Sequence, residues 1–204
     1  MEVTNIDGIF KYVKSLMNPF ERPWYIAGGW AIDLAVGDIT RTHKDLDICI
    51  FREDIDYATT YFKEWDIQVA IPGEHCLEPY KSLSDLNLPR YCLHMFMGEE
   101  FIEILVTEQT ENEVIFRKNR NIKMKINDFS KGNPNLPYVN PAWQLLFKSL
   151  STRTEDEHDF KVYLDRVYDD HSKKWLLENL RKVNGNKNWI EALVGYFGEG
   201  VDNL

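Results

Sequence analysis

Two aspartates separated by one leucine, Asp45-Leu46-Asp47, head a run from Lys44 to Ile50 in which carboxylates and aliphatics alternate before the chain turns wholly apolar. A period of two predicts a strand, and residues two apart on a strand share a face, with Cα atoms roughly 6 to 7 Å apart. Both carboxylates then address one volume. Like charges so placed repel unless a proton or a cation separates them. Mg²⁺ is the hard cation that proteins hold with one or two carboxylates plus the phosphates of a substrate, so a nucleoside triphosphate would complete such a site. The bland alternative is a pair of acids on a solvated sheet face. The turn upstream weakens it: Gly28 and Gly29 follow a short apolar run, Trp24 to Ala27, and open a segment of helix formers, Trp30 to Val36. A strand, tight turn and helix in that order leave backbone N–H groups open to phosphate oxygens at the helix N-terminus.

The elements that must hold these residues follow from the hydrophobic pattern. Ile6, Ile9, Phe10, Val13 and Leu16 recur near a 3.6-residue period and predict a first helix over 6–17. A second helix is expected from Glu53 to Trp65, a strand from Ile67 to Ile71, and a loop from there to Pro89. Tyr91 to Met97 and Phe101 to Val106 read as a hairpin closed by Gly98, Glu99 and Glu100, with shorter strands at Val114 to Phe116 and Ile122 to Ile126. Lys131 to Pro141, with three prolines and three asparagines, is the best candidate linker. Beyond it only helices are expected, at Ala142 to Leu150, Asp156 to Val167, Lys173 to Val183 and Trp189 to Phe197.

Composition narrows the classes. A chain of 204 residues, 44% hydrophobic and 28% charged, can bury a core in one domain or in one larger and one smaller unit. A net charge of -9 argues against a protein that works on nucleic-acid backbone, and no stable nucleic-acid binding is expected. The N-terminal residues lack the basic-then-apolar pattern of a leader, and no run of about 18 apolar residues occurs, so the expectation is a cytoplasmic protein without membrane association. Three cysteines, Cys49, Cys76 and Cys92, are taken as reduced. His75, Cys76, Cys92 and His94 do not show the paired spacing of structural zinc sites. No serine elbow is present. Arg117, Lys118, Arg120, Lys123 and Lys125 read as a solvated strand face. Trp24, Trp30 and Tyr80 are the aromatic candidates for a cleft wall.

The run Gly28-Gly29-Trp30-Ala31-Ile32-Asp33-Leu34, with Gly37, Arg41, His43 and Asp45-Leu46-Asp47-Ile48 after it, resembles the signature of the aminoglycoside 2''-adenylyltransferase-like family of the DNA polymerase beta superfamily. The resemblance implies an α+β fold: the mixed sheet of nucleotidyltransferases with flanking helices over 1–130, followed by a small helical C-terminal region over 138–204. It implies that Gly28 and Gly29 receive the triphosphate of ATP, that Asp45 and Asp47 bind Mg²⁺, and that AMP passes to a hydroxyl of a small-molecule acceptor such as an aminosugar, with release of pyrophosphate. The superfamily takes a third carboxylate, metal ligand or general base, from a neighbouring strand. Glu103 fits best, as the one acid within Phe101-Ile102-Glu103-Ile104-Leu105, where a buried strand should have none. It stands where an aspartate is often found, and Glu100 and Glu108 compete with it. Pro141, Leu145-Leu146-Phe147-Lys148, Arg153, Asp156, Asp159 and Phe160 continue the resemblance. Lys148 would place its ammonium on the β- or γ-phosphate, unless it is an ordinary surface lysine. Glu155-Asp156 replaces the family's Lys-Asp, which leaves helix capping as the better use of Asp156. Arg41 and His43 would contact phosphate or orient a carboxylate, or else fix their own loop, and Asp33 is read as structural. The competing readings are a non-catalytic nucleotide-binding module of the same fold and an antitoxin-like transferase acting on a protein or transfer RNA.

Overall fold

The computed structural model describes residues 6–74 and 76–198. In chain order its elements are α1 (Ile6–Met17), β1 (Trp24–Ile26), α2 (Gly28–Val36), β2 (Asp47–Phe51), α3 (Ile55–Tyr61), β3 (Asp66–Ile71), β4 (Cys76–Pro79), β5 (Cys92–Met97), β6 (Glu100–Gln109), β7 (Glu113–Ile115), β8 (Lys123–Lys125), α4 (Ile126–Phe129), β9 (Ser130–Asn133), β10 (Leu136–Val139), α5 (Pro141–Lys148), α6 (Thr154–Arg166), α7 (Asp170–Val183) and α8 (Lys187–Phe197). The strands form one mixed sheet in the order β4-β3-β5-β6-β2-β1-β10-β9, with β7 and β8 continuing from β6. The pairs β2–β6 and β1–β10 are parallel and the others antiparallel. This is the α+β arrangement expected, with helices flanking the sheet and a helical C-terminal end.

Alternation along β2 explains how one strand serves two layers. Ile48 and Ile50 enter a core with Ile9, Val13, Ile55 and Ile104, beneath α1 and α3. Cys49 and Phe51 enter the opposite core, with Phe129 of α4 and with Trp143, Leu146, Tyr163 and Leu177 of the C-terminal helices. Asp47 falls on that second face, at the strand end where the helical layer leaves the sheet open.

Several expectations need correcting. The segment over 131–141 is no linker, because β9 and β10 form a hairpin and β10 pairs in parallel with β1 through Ile26 and Tyr138. Its glycine and asparagines shape a turn rather than a tether. The sheet therefore runs past the expected domain end at 130 and into 138–204, and one core joins sheet and C-terminal helices. The expected loop after Ile71 contains β4, which pairs with β3 despite being exposed along its whole length; an edge strand with little burial leaves no hydrophobic period to read. The expected helix over 53–65 is shorter, with a 3-10 turn at Arg52–Asp54 before α3. None of the described helices is long and apolar enough to cross a membrane.

Asn140 joins β10 to α5. Its side chain caps α5 by accepting from the Ala142 N–H at 2.9 Å, and its amide donates to the Asp128 carbonyl and the Ser172 hydroxyl at 2.9 and 2.8 Å. The Trp143 ring that follows packs edge-on against Phe116 and Phe129 and stacks on Trp175. Trp143→Ala removes the side chain that ties sheet to helices and is expected to cost about 3–5 kcal/mol. Because both share that core, thermal unfolding followed by near- and far-ultraviolet dichroism should keep one transition, moved to lower temperature. Two separated transitions would contradict a core shared by sheet and helices.

Candidate active site

Strand register brings the acids together. Asp47 on β2 lies directly opposite Glu103 on β6 in the parallel pairing, and Glu103 lies opposite His94 on β5 in the antiparallel one. Residues opposite one another project from the same face, so Asp47, Glu103 and His94 form one row. Asp45 differs from expectation in lying before β2, in the bend that leads into it. Its carbonyl is held by the Trp30 indole N–H at 3.0 Å, and its charge acts on both Asp47 and Glu103.

The electrostatics of the row reflect crowding. Burial first, then the Glu103 and Asp45 charges, push the Asp47 carboxyl up to about 8, against a smaller downward pull from the Lys148 ammonium. Burial also raises Glu103, with His94 opposing. Asp47 and Glu103 face each other across the parallel pair, and two full charges so placed repel, which favours a proton or a cation between them. The Nε2 atom of His94 lies 3.3 Å from Oε1 of Glu103.

Both glycines are required by close approach. Gly28 has φ +60, and a Cβ there would fall 1.9 Å from Oδ2 of Asp47. A Cβ on Gly29 would fall 2.0 Å from Nη2 of Arg41 and 2.8 Å from Cε1 of His43. The N-cap residue, Ala27, offers no side-chain acceptor, and the first turn of α2 holds no acid. The leading N–H groups of α2, and the partial positive charge that gathers there, are thus left without a side-chain cap at an end whose first residue, Gly28, lies against Asp47.

A ring of ion pairs frames this face. Arg41 donates to both carboxylate oxygens of Asp159, at 2.7 and 2.9 Å. Lys148 pairs with Asp156 and, at 3.0 Å, with Asp159. Asp156 also accepts from the Arg153 backbone N–H at 3.0 Å, the capping expected of it. Burial would raise both acids, yet the cations around them hold Asp156 and Asp159 below the usual carboxylate range. Asp33, 1% exposed, accepts from Thr40 and pairs with His43, each at 2.6 Å. Its contacts are with the loop ahead of Asp45, a structural use. His43 stacks on Trp30 with ring centroids 4.1 Å apart.

Gly28, Gly29, Arg41, His43, Asp45, Asp47 and Lys148 all line one open cleft of about 1060 Å³ between the sheet and the C-terminal helices. Glu103 meets the site through Asp47, from the neighbouring strand. The cleft's aromatic wall is Tyr91, Trp143 and Phe147, and none of Trp24, Trp30 and Tyr80 contributes to it. Arg117 departs from the solvated strand face expected of it. Its guanidinium lies 3.5 Å from the Tyr91 ring centre and 4.0 Å from that of Phe147, and burial lowers its pKa. Lys118, Arg120, Lys123 and Lys125 are exposed as expected. Of the four residues weighed for zinc, His75 lies outside the described residues, Cys76 is exposed, and Cys92 and His94 flank Glu103.

Residues 10–71 match the family model described as aminoglycoside-2''-adenylyltransferase. The match takes in the glycine pair and the acid pair, and stops before Glu103 and Lys148. No curated protein matches the chain in sequence. Among solved structures, the lincomycin-bound lincosamide antibiotic adenylyltransferase LnuA superposes with a TM-score of 0.56 at 17% identity, covering 80% of this chain and 99% of that one. ANT(2'')-Ia, in complex with adenylyl-2''-tobramycin, gives 0.58 at 11% identity, covering 86% and 97%. The chain has the nucleotidyltransferase fold. The α+β architecture and the resemblance carried by the glycine and acid motifs agree with that assignment.

The raised Asp47 carboxyl carries a stability consequence. An acid whose folded pKa exceeds its unfolded one stabilises the fold while protonated, and that stability is lost as pH rises from about 3.8 to about 8. In metal-free buffer with chelator, Asp47→Asn should therefore be more stable than the parent at pH 9, by at least about 1 kcal/mol, the worth of roughly one pKa unit. The gap should close near pH 4. Denaturant melts at the two pH values measure it; a variant less stable than the parent at pH 9 would contradict the crowding.

Proposed function

We propose that the chain transfers AMP from ATP to a hydroxyl of a small-molecule acceptor, releasing pyrophosphate. The observation that carries the reading is the gathering of Asp45, Asp47 and Glu103 against the unencumbered N-terminus of α2, with two glycines in the contact. Three carboxylates offer only oxygen donors, and the upward shift of Asp47 beside Glu103 and Asp45 marks where positive charge is needed. That donor set fits Mg²⁺. Held by Asp45, Asp47 and Glu103, Mg²⁺ would neutralise phosphate charge and favour ionisation of the acceptor hydroxyl.

The remaining work falls to the chain. The N–H groups of Gly28 and Gly29 receive phosphate oxygens at the α2 N-terminus, and Arg41, against Gly29, adds a cation beside them. Lys148, near enough to Asp47 to pull on its titration, is placed to meet charge growing on the departing pyrophosphate. Asp33 keeps His43, and with it the loop that carries Asp45, in position. Glu103 accepts the proton of the acceptor hydroxyl; its raised pKa brings it closer to the working pH of a general base. Tyr91, Trp143 and Phe147 give the cleft flat apolar surface for a base or a sugar ring. Its volume accommodates ligands larger than one drug-sized molecule, and the two similar structures hold lincomycin and an adenylylated tobramycin.

The test is pyrophosphate release from ATP with Mg²⁺ over a panel of hydroxylated small molecules that includes aminoglycosides and lincosamides. Turnover on at least one acceptor is expected. Asp47→Asn and Glu103→Gln should each lower kcat by at least about 100-fold, the scale at which loss of one charge-stabilising group is felt. Nucleotide binding without turnover on any acceptor would favour the non-catalytic module instead.

A further inference from the structure

The face that carries Asp47 and Glu103 also carries two soft donors that nucleotidyl transfer leaves unused. Cys92 and His94 stand two apart on β5 and so share a side of the strand. The register of β5 on β6 places His94 beside Glu103. From Glu103 the two carboxylate oxygens reach in different directions: Oε2 lies 3.7 Å from the Cys92 sulfur and Oε1 lies 3.3 Å from Nε2 of His94. One sulfur, one nitrogen and one oxygen donor thus lie within 4.8 Å of one another. Ligand atoms around a tetrahedral zinc ion, at about 2.0–2.3 Å from the metal, are separated from each other by roughly 3.3–3.8 Å. The Cys92 and His94 contacts each have that spacing, though to different oxygens of Glu103, so a single ion needs the Glu103 carboxylate and the partly exposed imidazole to turn toward it.

Donor chemistry separates this group from the oxygen-only site next to it. Thiolate and imidazole select zinc and its soft neighbours, whereas carboxylate and phosphate oxygens select magnesium. A thiolate and a carboxylate together offset a dication, which suits a region already short of positive charge. Access follows the same logic. Cys92 is buried, while the His94 and Glu103 side chains are 24% and 22% exposed. An ion arriving from solvent meets imidazole and carboxylate first and the sulfur beneath them. Three protein ligands with the fourth position open to water form the arrangement of an accessible rather than a purely structural zinc site. Without the ion, burial and the nearby Glu103 and Asp47 carboxylates keep the thiol protonated. Binding exchanges its S–H bond for a sulfur–metal bond, and the proton leaves to solvent.

We propose that Cys92, His94 and Glu103 form a site for a thiophilic divalent cation, Zn²⁺ foremost, and that filling it takes Glu103 away from Asp47 and switches nucleotidyl transfer off. The site stands on the geometry alone. The switch rests on the role of Glu103 in the proposed function, so the two are read by separate measurements.

Cobalt(II) reads the site, because thiolate ligation gives an intense near-ultraviolet charge-transfer band and tetrahedral geometry gives visible absorption. The full chain, free of metal, should develop both with one equivalent of Co²⁺ and lose both to one equivalent of Zn²⁺. Cys92→Ser should abolish the charge-transfer band. His94→Gln should keep the band and weaken zinc binding, measured against a chromophoric chelator, by at least the roughly 10-fold that loss of even an outer partner costs. Cys76→Ser, which alters an exposed thiol elsewhere, should change nothing. Far-ultraviolet dichroism guards against a misfolded variant, and His94→Gln decides the matter if Cys92→Ser does not fold. No band in the parent, a band persisting in folded Cys92→Ser, or unchanged zinc affinity in His94→Gln overturns the site. For the switch, pyrophosphate release at saturating Mg²⁺ should fall on adding zinc and be restored by chelator, while Cys92→Ser keeps its basal rate and resists zinc at least 10-fold better. Equal inhibition of both proteins would mean that zinc acts at the magnesium carboxylates, and overturns the switch. If no acceptor supports turnover, the proposed function and the switch fall together, and the cobalt spectra still decide the site.

Discussion

Parallel pairing of β2 with β6 forces Asp47 against Glu103, and much of the molecule bears on that repulsion. A sheet covered on both faces cannot relieve it by bending, since Ile48 and Ile104 are locked into one core and Cys49 into the other. Gly28 approaches so closely that a methyl group would occupy the position of an Asp47 oxygen. The uncapped first turn of α2 begins beside Asp47, and Lys148 adds a whole charge that pulls on it. The fold thus supplies partial compensation at every side except the one open to the cleft. A site left in deficit of positive charge is organised for a cation-bearing ligand, which is how stability is exchanged for binding in many catalytic centres.

A second set of acids works in the opposite sense. Asp156 and Asp159 are buried at 1% exposure each yet remain ionised, because Arg41, Lys148 and Arg153 surround them. Breaking such pairs one partner at a time is costly. Asp159, on α6, holds a cation from the loop before β2 and another from the end of α5. Two positive groups that line the cleft are thereby held by one buried acid. One acid cluster is short of cations and the other presents them.

The motif residues could be read because the chemistry that places them is local. Two glycines, a short spacer and an acid-hydrophobic-acid triplet lie within about twenty residues, and backbone rules alone turn them into strand, turn, helix and strand. Glu103 was legible as a charge in an apolar run. Asp159 was visible only as part of the resemblance, and its work depends on a contact 118 residues away in sequence that no periodicity reports. Arg117 carries the same lesson, since a basic run on a strand looks solvated until Tyr91 and Phe147 enclose one member of it. The β9–β10 hairpin was hidden by composition. Asn, Gly and Pro serve turns and tethers alike, and only the parallel partner β1, over a hundred residues earlier, decides between them.

That hairpin also governs how the cleft can change shape. Strand β10 ends at Val139 and α5 begins at Pro141, so Asn140 alone lies between sheet and helices, and it is held at both ends of its side chain. A junction without slack, over a shared core, offers no pivot for one half to swing from the other. Opening and closing must then be a matter of clasps across the gap. The outer one, Arg166 to Asp38 at 3.2 Å, is solvent-exposed and yields to ionic strength, while the inner one, Arg41 to Asp159, is sheltered from it. Salt should loosen the rim of this molecule long before it reaches the latch.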